Sequence, residues 1–435
     1  MSRKSVAAVV AENLCVSCGV CAAVCPKDCV RYERTPDGLF APKISDACVN
    51  CGKCFDFCPG RGADYAALAA ATQTEPPQDP YVGDARAVYA MTAKDERVLS
   101  AATSGGVVTA LTQKLLKDGA YDRAFLLDAF DFGDAARTVE KGAGSDLLAC
   151  AKSRYVPALQ TDAARFLLKR RDARVILVGT PCFIQSVARI IDAYRLERDN
   201  LLLIGLFCDK TLTYNVWDYF AQFEENGETL RALYFRTKAN GGWPGGLGLE
   251  YANGATVYRP SAERAMIKTY FTPERCLYCV DKLNRFADIS VGDNYTRKNA
   301  SPGGSSSVIA RTERGERALA ACETLFERFP ADLADVAKSQ KIADRRYNRA
   351  FQELKASEIL IRNPEFPLPD ADDAQAKYDA LLEERRLGAA KDFAAIKERV
   401  DKKRAERAKA AKRRNNIFRR VARKVKRVLK AAFKK

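Results

Sequence analysis

A chain of 435 residues has room for two or three domains and a sizeable core. It contains no histidine, which excludes zinc–histidine sites, Rieske centres, histidine-ligated haem and Ser-His-Asp triads. The formal net charge of +17 is concentrated at one end: residues 401–435 carry 17 Lys/Arg against Asp401 and Glu406, which leaves +2 for residues 1–400, so a nucleic-acid-binding body is excluded as an account of the charge.

In chain order, residues 1–62 form a cysteine-rich module, and 63–84 read as a short helix running into a Pro-rich linker. From 85 onward strands alternate with helices. Strands are expected at 86–91, 123–130, 174–179 and 201–207, with helices at 104–119, 183–194 and 213–227. That alternation predicts an α/β body with a mostly parallel sheet. An antiparallel part follows, with strands at 230–238 and across 246–259, where Asn253-Gly254 predicts a type I′ hairpin turn. Further strands are expected at 287–293 and 306–312. The body divides into an N-terminal part, 85–200, and a C-terminal part, 201–362. A second Pro-rich linker covers 363–371, and 372–435 is a helical, increasingly basic extension.

Fifteen cysteines in a long chain without a secretory pattern, grouped as C-x2-C, point to metal binding rather than disulfides. Cys15, Cys18, Cys21 and Cys25 form C-x2-C-x2-C-x3-C followed by Pro26; Cys48, Cys51, Cys54 and Cys58 repeat it before Pro59. Short steps let a tight loop present three thiolates to one cubane, and in two-cluster ferredoxins the fourth crosses to the other cluster. One [4Fe-4S] cluster is therefore assigned to Cys15, Cys18, Cys21 and Cys58, and the other to Cys48, Cys51, Cys54 and Cys25. The module resembles bacterial two-cluster ferredoxins over its whole length.

Cys182 and Cys208 each follow a predicted strand, at the sheet edge where open α/β folds bind ligands. Cys276 and Cys279 make another C-x2-C step. From pattern alone, Cys182 and Cys208 read as ligands or as buried core thiols. Thr103, Ser104, Gly105 and Gly106 open a helix, which suits either an anion or a plain cap. Ser153, Arg154 and Tyr155 offer a phosphate-binding cation and a stacking ring, or a solvated loop. Arg236 and Lys238 could face an anion or simply solvent, and Asp293 reads as a strand-end turn residue.

The blocks SGGVVTAL (104–111), KSRYV (152–156), GTPCFIQ (179–185), GLFCDK (205–210) and CLYCVDKLNRFADISVGDNY (276–295) resemble the β subunit of coenzyme F420-reducing hydrogenase and its relatives, over about residues 85–330. Those relatives include deazaflavin-dependent dehydrogenase subunits, the N-terminal half of deazaflavin-dependent sulfite reductase and plant hydroxymethyl chlorophyll a reductase. The resemblance implies a third [4Fe-4S] cluster on Cys182, Cys208, Cys276 and Cys279. It implies FAD near Thr103, Ser104, Gly105, Gly106, Ser153, Arg154 and Tyr155, and a small hydride acceptor or donor as substrate. Cys29, Cys150 and Cys322 fall outside any motif and are left as structural thiols.

The expected function is an iron–sulfur flavoprotein oxidoreductase served by a redox partner protein or ferredoxin; the alternative is an electron-transfer subunit with no substrate of its own. A redox sensor with the basic tail on DNA lacks any reader motif, so no nucleic acid partner is expected. Without a long apolar run or a cleavage pattern the protein is expected in the cytoplasm. In the tail, Ile417, Phe418, Val421, Val425, Val428, Leu429, Ala432 and Phe433 recur every three or four residues among basic ones. This is the pattern of an interfacial helix on an anionic membrane surface.

Overall fold

The protein's structure, a computed structural model, describes residues 4–432 apart from 76, 132, 224–227, 370 and 371; for residue 411 and for 414–432 it describes the backbone alone. The strands are β1 (Val30–Arg34), β2 (Phe40–Ile44), β3 (Ala87–Ala93), β4 (Arg123–Leu127), β5 (Thr138–Lys141), β6 (Val175–Gly179) and β7 (Leu201–Leu206). They continue with β8 (Leu230–Thr237), β9 (Gly246–Tyr251), β10 (Thr256–Arg259), β11 (Ile289–Asp293), β12 (Ser306–Ala310) and β13 (Phe326–Pro330).

Eight strands form the main sheet in the order β13-β3-β12-β11-β7-β6-β4-β5. The neighbours β4, β6, β7 and β11 are parallel, and β3 shares their direction through β12, which is antiparallel to both β3 and β11. The central strands VILVG and LLLIGL are apolar throughout because both faces of a parallel sheet are covered. Their carboxyl ends, with those of β3, β4 and β11, lie along one edge of the sheet. Behind that edge the buried Asp288 ties strands together: it accepts from Arg198 Nη2 (2.8 and 2.9 Å), the Leu203 N–H (2.8 Å), Thr312 Oγ1 (2.6 Å) and Arg314 Nη1 (3.1 Å). The antiparallel sheet β10-β9-β8 stands apart, and β1 pairs with β2 inside the cysteine-rich module.

One expectation is corrected. The β9–β10 turn is not type I′, since only Gly254 (φ +84) is left-handed and Asn253 is not. The Gly254 N–H bonds to Tyr251 O (2.9 Å) over Ala252 and Asn253, giving a type I turn closed by a left-handed glycine. The two Pro-rich segments, 63–84 and 363–371, send residues into the core. Helix Tyr65–Thr72 buries Tyr65 and Leu68, and Tyr81, Val82 and Phe366 are buried as well. Phe366 from the second segment meets Tyr65 and Tyr81 from the first edge-on, at 5.2 and 4.9 Å between centroids. Proline-rich composition signals extended backbone, but these aromatic rings find the core. The C-terminal extension is helical, as expected, and is packed at its start: Tyr378 on helix Ala374–Ala389 and Phe393, Ile396 and Val400 on the last helix, Phe393–Ala432, are buried. The apolar face at 417–433 lies outside the described side chains. No helix among the described residues is long and apolar enough to cross a membrane.

Candidate functional site

The doubled cysteine motif is a doubled backbone. Two residues after the first cysteine of each copy, Ser17 (φ +51) and Asn50 (φ +50) turn left-handed, and Gly19 (φ +82) and Gly52 (φ +80) follow. Each glycine then heads a four-residue helix, Val20–Ala23 and Lys53–Asp56. At both loops an N–H two residues on points at sulfur: Ser17 to Cys15 Sγ and Asn50 to Cys48 Sγ, each 3.4 Å. Left-handed backbone wraps the loop tightly enough to turn three sulfurs inward.

Two recesses result. One is lined by Cys15, Cys18, Cys21 and Cys58; the other by Cys25, Cys48, Cys51 and Cys54. The fourth cysteine of each copy therefore stands with the first three of the other. No carboxylate lines either recess, so the donors are soft sulfurs of the kind iron–sulfur clusters take. Among the described residues no three cysteines or carboxylates gather as ligands of a single metal ion; a cubane's ligands stand at separate corners. Burial pushes Cys15 up to about 12 and raises Cys18, Cys21 and Cys58, so metal loading displaces protons. Cys29 was missed. Its sulfur lies 3.3 Å from Cys25 Sγ, and it lines the same recess; the only hint in the sequence is its place four residues after Cys25.

The recesses differ in setting. The Cys25 recess reaches the surface beside Val49, which is 56% exposed. The Cys58 recess faces the body. Cys18 O accepts from the Gln160 N–H (2.8 Å), Phe57 O from Ser186 Oγ (3.2 Å) and Cys58 O from Arg189 Nη1 (2.9 Å).

The four remaining motif cysteines converge at the carboxyl edge of the main sheet. Cys182 opens helix Pro181–Tyr194 after β6, and Cys208 follows β7, the parallel neighbour of β6. Asn284 Nδ2 ties the two strand ends, donating to Gly179 O (2.9 Å) and Leu206 O (3.2 Å). The Cys208 N–H bonds to Lys282 O (2.9 Å), which brings up the loop bearing Cys276 and Cys279. Burial raises Cys208, and the nearby Cys276, Cys182 and Cys279 raise it further. Cys18 of the module senses Cys182 in turn, so this group adjoins the Cys58 recess. Cys322 is fully buried, whereas Cys150 is partly buried beside Asp128.

Polar segments meet along the same edge. The two segments expected to act together do meet: the Ser153 N–H donates to Thr103 Oγ1 (2.8 Å). Ser104 Oγ donates to Ser305 O (2.6 Å), and Gly106 (φ +75) heads helix Val107–Lys117, whose first turn has no side-chain cap. Lys152 (φ +77) and Tyr155 (φ +62) hold the facing loop in strained backbone, which persists where surrounding structure fixes it for a purpose. Arg154 Nε is buried with no partner among the described residues. Such a cradle fits a phosphate group.

Asp293 is more than a turn residue. Arg236 grips both its oxygens, Nη2 to Oδ1 at 2.8 Å, and Trp243 Nε1 donates to Oδ1 (3.0 Å). Burial opposes its charge, but these donors hold the carboxyl below the usual range. Arg236 is thus paired inward, and Lys238 Nζ donates to Leu99 O and Ser104 O, each 2.7 Å.

Comparison with known proteins gives three matches to protein families. The description "Coenzyme F420 hydrogenase/dehydrogenase, beta subunit N-term" matches residues 88–164, its "C terminus" counterpart matches 172–326, and "4Fe-4S dicluster domain" matches 14–63. The coenzyme F420-dependent sulfite reductase of Methanocaldococcus jannaschii is 26% identical over 376 residues; these cover 81% of this chain and 52% of that protein, so the chain spans about half of that relative's length. An uncharacterized protein of the same organism is 26% identical over 327 residues, 70% of this chain and 85% of its own. A chain from the solved F420-reducing [NiFe] hydrogenase complex of Methanosarcina barkeri aligns with a TM-score of 0.49 at 21% identity, covering 67% of this chain and all of that one.

Proposed function

Because the chain belongs to the coenzyme F420 hydrogenase/dehydrogenase beta subunit family and carries a 4Fe-4S dicluster domain, we propose that it is an iron–sulfur flavoprotein oxidoreductase. It would join a redox partner protein or ferredoxin to a small hydride donor or acceptor, coenzyme F420 or a molecule of like chemistry. The observation that carries this reading is a shared location: the group Cys182, Cys208, Cys276 and Cys279 lies along the same sheet edge as the meeting segments 103–106 and 153–155. Iron–sulfur clusters exchange electrons singly and FAD can exchange a pair, so a chain holding both links one-electron to hydride chemistry.

In this reading Cys25, Cys48, Cys51 and Cys54 hold the outer [4Fe-4S] cluster, where the exposed Val49 leaves the surface open to a protein partner. Cys15, Cys18, Cys21 and Cys58 hold the inner one against the body. Cys182, Cys208, Cys276 and Cys279 hold the third. Thr103, Ser104, Gly105, Gly106, Ser153, Arg154 and Tyr155 bind FAD through its phosphates. The test is anaerobically purified protein, with iron and flavin complete, given reduced coenzyme F420 and a one-electron dye. Catalytic dye reduction is expected. A complete protein that exchanges electrons with the dye yet never turns over the deazaflavin would instead be an electron-transfer subunit for a partner enzyme.

Lys238 adds a pH signature. Burial and the neighbouring Arg236 guanidinium push it down to about 8. Between about pH 8 and the ordinary lysine value near 10.4, the folded chain therefore holds fewer protons than the unfolded one, and stability rises with pH across that window. FAD affinity should fall as pH passes through about 8, because a cation beside Ser104 is lost. Lys238→Met should flatten that step in a flavin-fluorescence titration.

The basic tail supports a separate reading, that residues 401–435 dock the protein on the inner face of the cytoplasmic membrane. Each basic residue near an anionic leaflet contributes about 1 kcal/mol. Co-sedimentation should therefore occur with anionic vesicles at low salt and vanish on deletion of 401–435. Equal binding to neutral vesicles would refute it.

A further inference from the structure

We propose that the buried guanidinium of Arg275 is shared by two iron–sulfur centres, one held through Cys58 and the other through Cys276, and raises the reduction potentials of both. The inference rests on the three-cluster reading above. Arg275 precedes Cys276 directly, in the short turn Glu274–Tyr278. It is 7% exposed, and its side chain reaches the module. Nε donates to Gly60 O (2.6 Å) and Nη2 reaches Pro59 O (3.4 Å), both in the turn that follows Cys58. One residue thus joins the two cysteine groups through its main chain on one side and its side chain on the other.

Two further observations give the side chain an electrostatic role beyond packing. Nη1 is buried with no hydrogen-bond partner among the described residues, although a buried guanidinium N–H is costly to leave unmet. The adjacent Glu274 does not neutralise the charge, being taken by Lys355 Nζ (2.7 Å) and Arg385 Nη1 (3.1 Å). Cys276 is the chain neighbour of Arg275, and Gly60 and Pro59, which Arg275 grips, follow Cys58, so the charge stands between the two cysteine groups. Cluster sulfur atoms are acceptors that would meet the free N–H. Net charge, hydrogen bonds to sulfur and burial are the levers by which a protein sets cluster potentials. A fixed positive charge in a dry site stabilises the more negative, reduced state. Both inner centres would then stand above the outer one, which draws electrons inward from the surface recess. Arg275 is a positioning residue in this scheme.

The experiment is an anaerobic redox titration of the full chain followed by electron paramagnetic resonance, comparing wild type with Arg275→Gln and Arg275→Lys at matched iron content. Arg275→Gln should make reduction of both inner centres about tenfold less favourable, a fall of about 59 mV for one electron, with the outer centre unmoved. Arg275→Lys keeps the charge and should stay near wild type. Unchanged inner potentials in an iron-complete glutamine protein overturn the proposal, as does an equal shift of all three centres. If the glutamine protein does not assemble, lysine decides alone: inner potentials that hold support the shared charge, and a tenfold shift overturns it. Iron counting for only two clusters in wild type would be a failure of the three-cluster reading, distinct from a failure of Arg275.

Discussion

Replacing Cys276 and Cys279 together by Ser is expected to remove about one-third of the iron and leave the spectral signals of the dicluster module in place, since four of twelve proposed ligands serve this centre. The loss should be local. The main chain at these positions is held independently of sulfur: Asn348 Nδ2 donates to Cys276 O (3.1 Å), and Arg345 Nη1 donates to Cys279 O (3.4 Å). A serine pair therefore keeps the loop but offers hard oxygen donors in place of thiolates. The two recesses of the module contain neither residue. Iron and acid-labile sulfide per chain, with low-temperature resonance spectra, give the answer. Unchanged iron would end the case for a third centre.

Arg154→Gln is expected to weaken FAD binding by roughly 10- to 100-fold, because a hydrogen bond to a charged group is worth about 1.5–3 kcal/mol. The reason for choosing Arg154 is its buried Nε without a partner, beside the meeting point of Thr103 and Ser153. Gly105 looks like the natural probe from the sequence, but it is a poor one. A Cβ there would stand 2.4 Å from Met91 O and 2.8 Å from Ser306 N, so substitution would wedge β3 from β12 before any ligand is considered. Acid extraction of wild type should release yellow flavin in about equimolar amount, and the Arg154→Gln protein should shed it on dilution. A colourless extract from folded wild type would sink the FAD assignment itself.

How much of this was legible beforehand depended on range. The doubled cysteine motif is a local code, and the crossing of Cys25 and Cys58 follows from it; the recesses are built that way. The strands that lead into Cys182 and Cys208 announced themselves as the apolar runs VILVG and LLLIGL. What failed to show was set by tertiary partners. Strands β5 (TVEK) and β13 (FERFP) are edge strands with polar residues and no clean alternation, and only pairing with β4 and β3 defines them. The Pro-rich segments gave no sign of packing because their aromatics meet only across long stretches of chain, Phe366 against Tyr65 and Tyr81. Asp293 looked like a turn because its partners, Arg236 and Trp243, lie on other elements.

The way the four body cysteines are supplied also bears on how the protein is put together in time. The eight cysteines of the module lie within 44 residues of chain and need only local turns to meet. Cys182, Cys208 and the Cys276–Cys279 step come from three separate segments and meet only once β6 and β7 are paired and the loop before β11 is docked. Closing such long loops costs entropy that must be met by the body's own packing. If the body cysteines hold a cluster as proposed, that site could form only after most of the chain has folded, later than the local loops of the module. A factor delivering that proposed cluster would then have to recognise a nearly native protein rather than a nascent one.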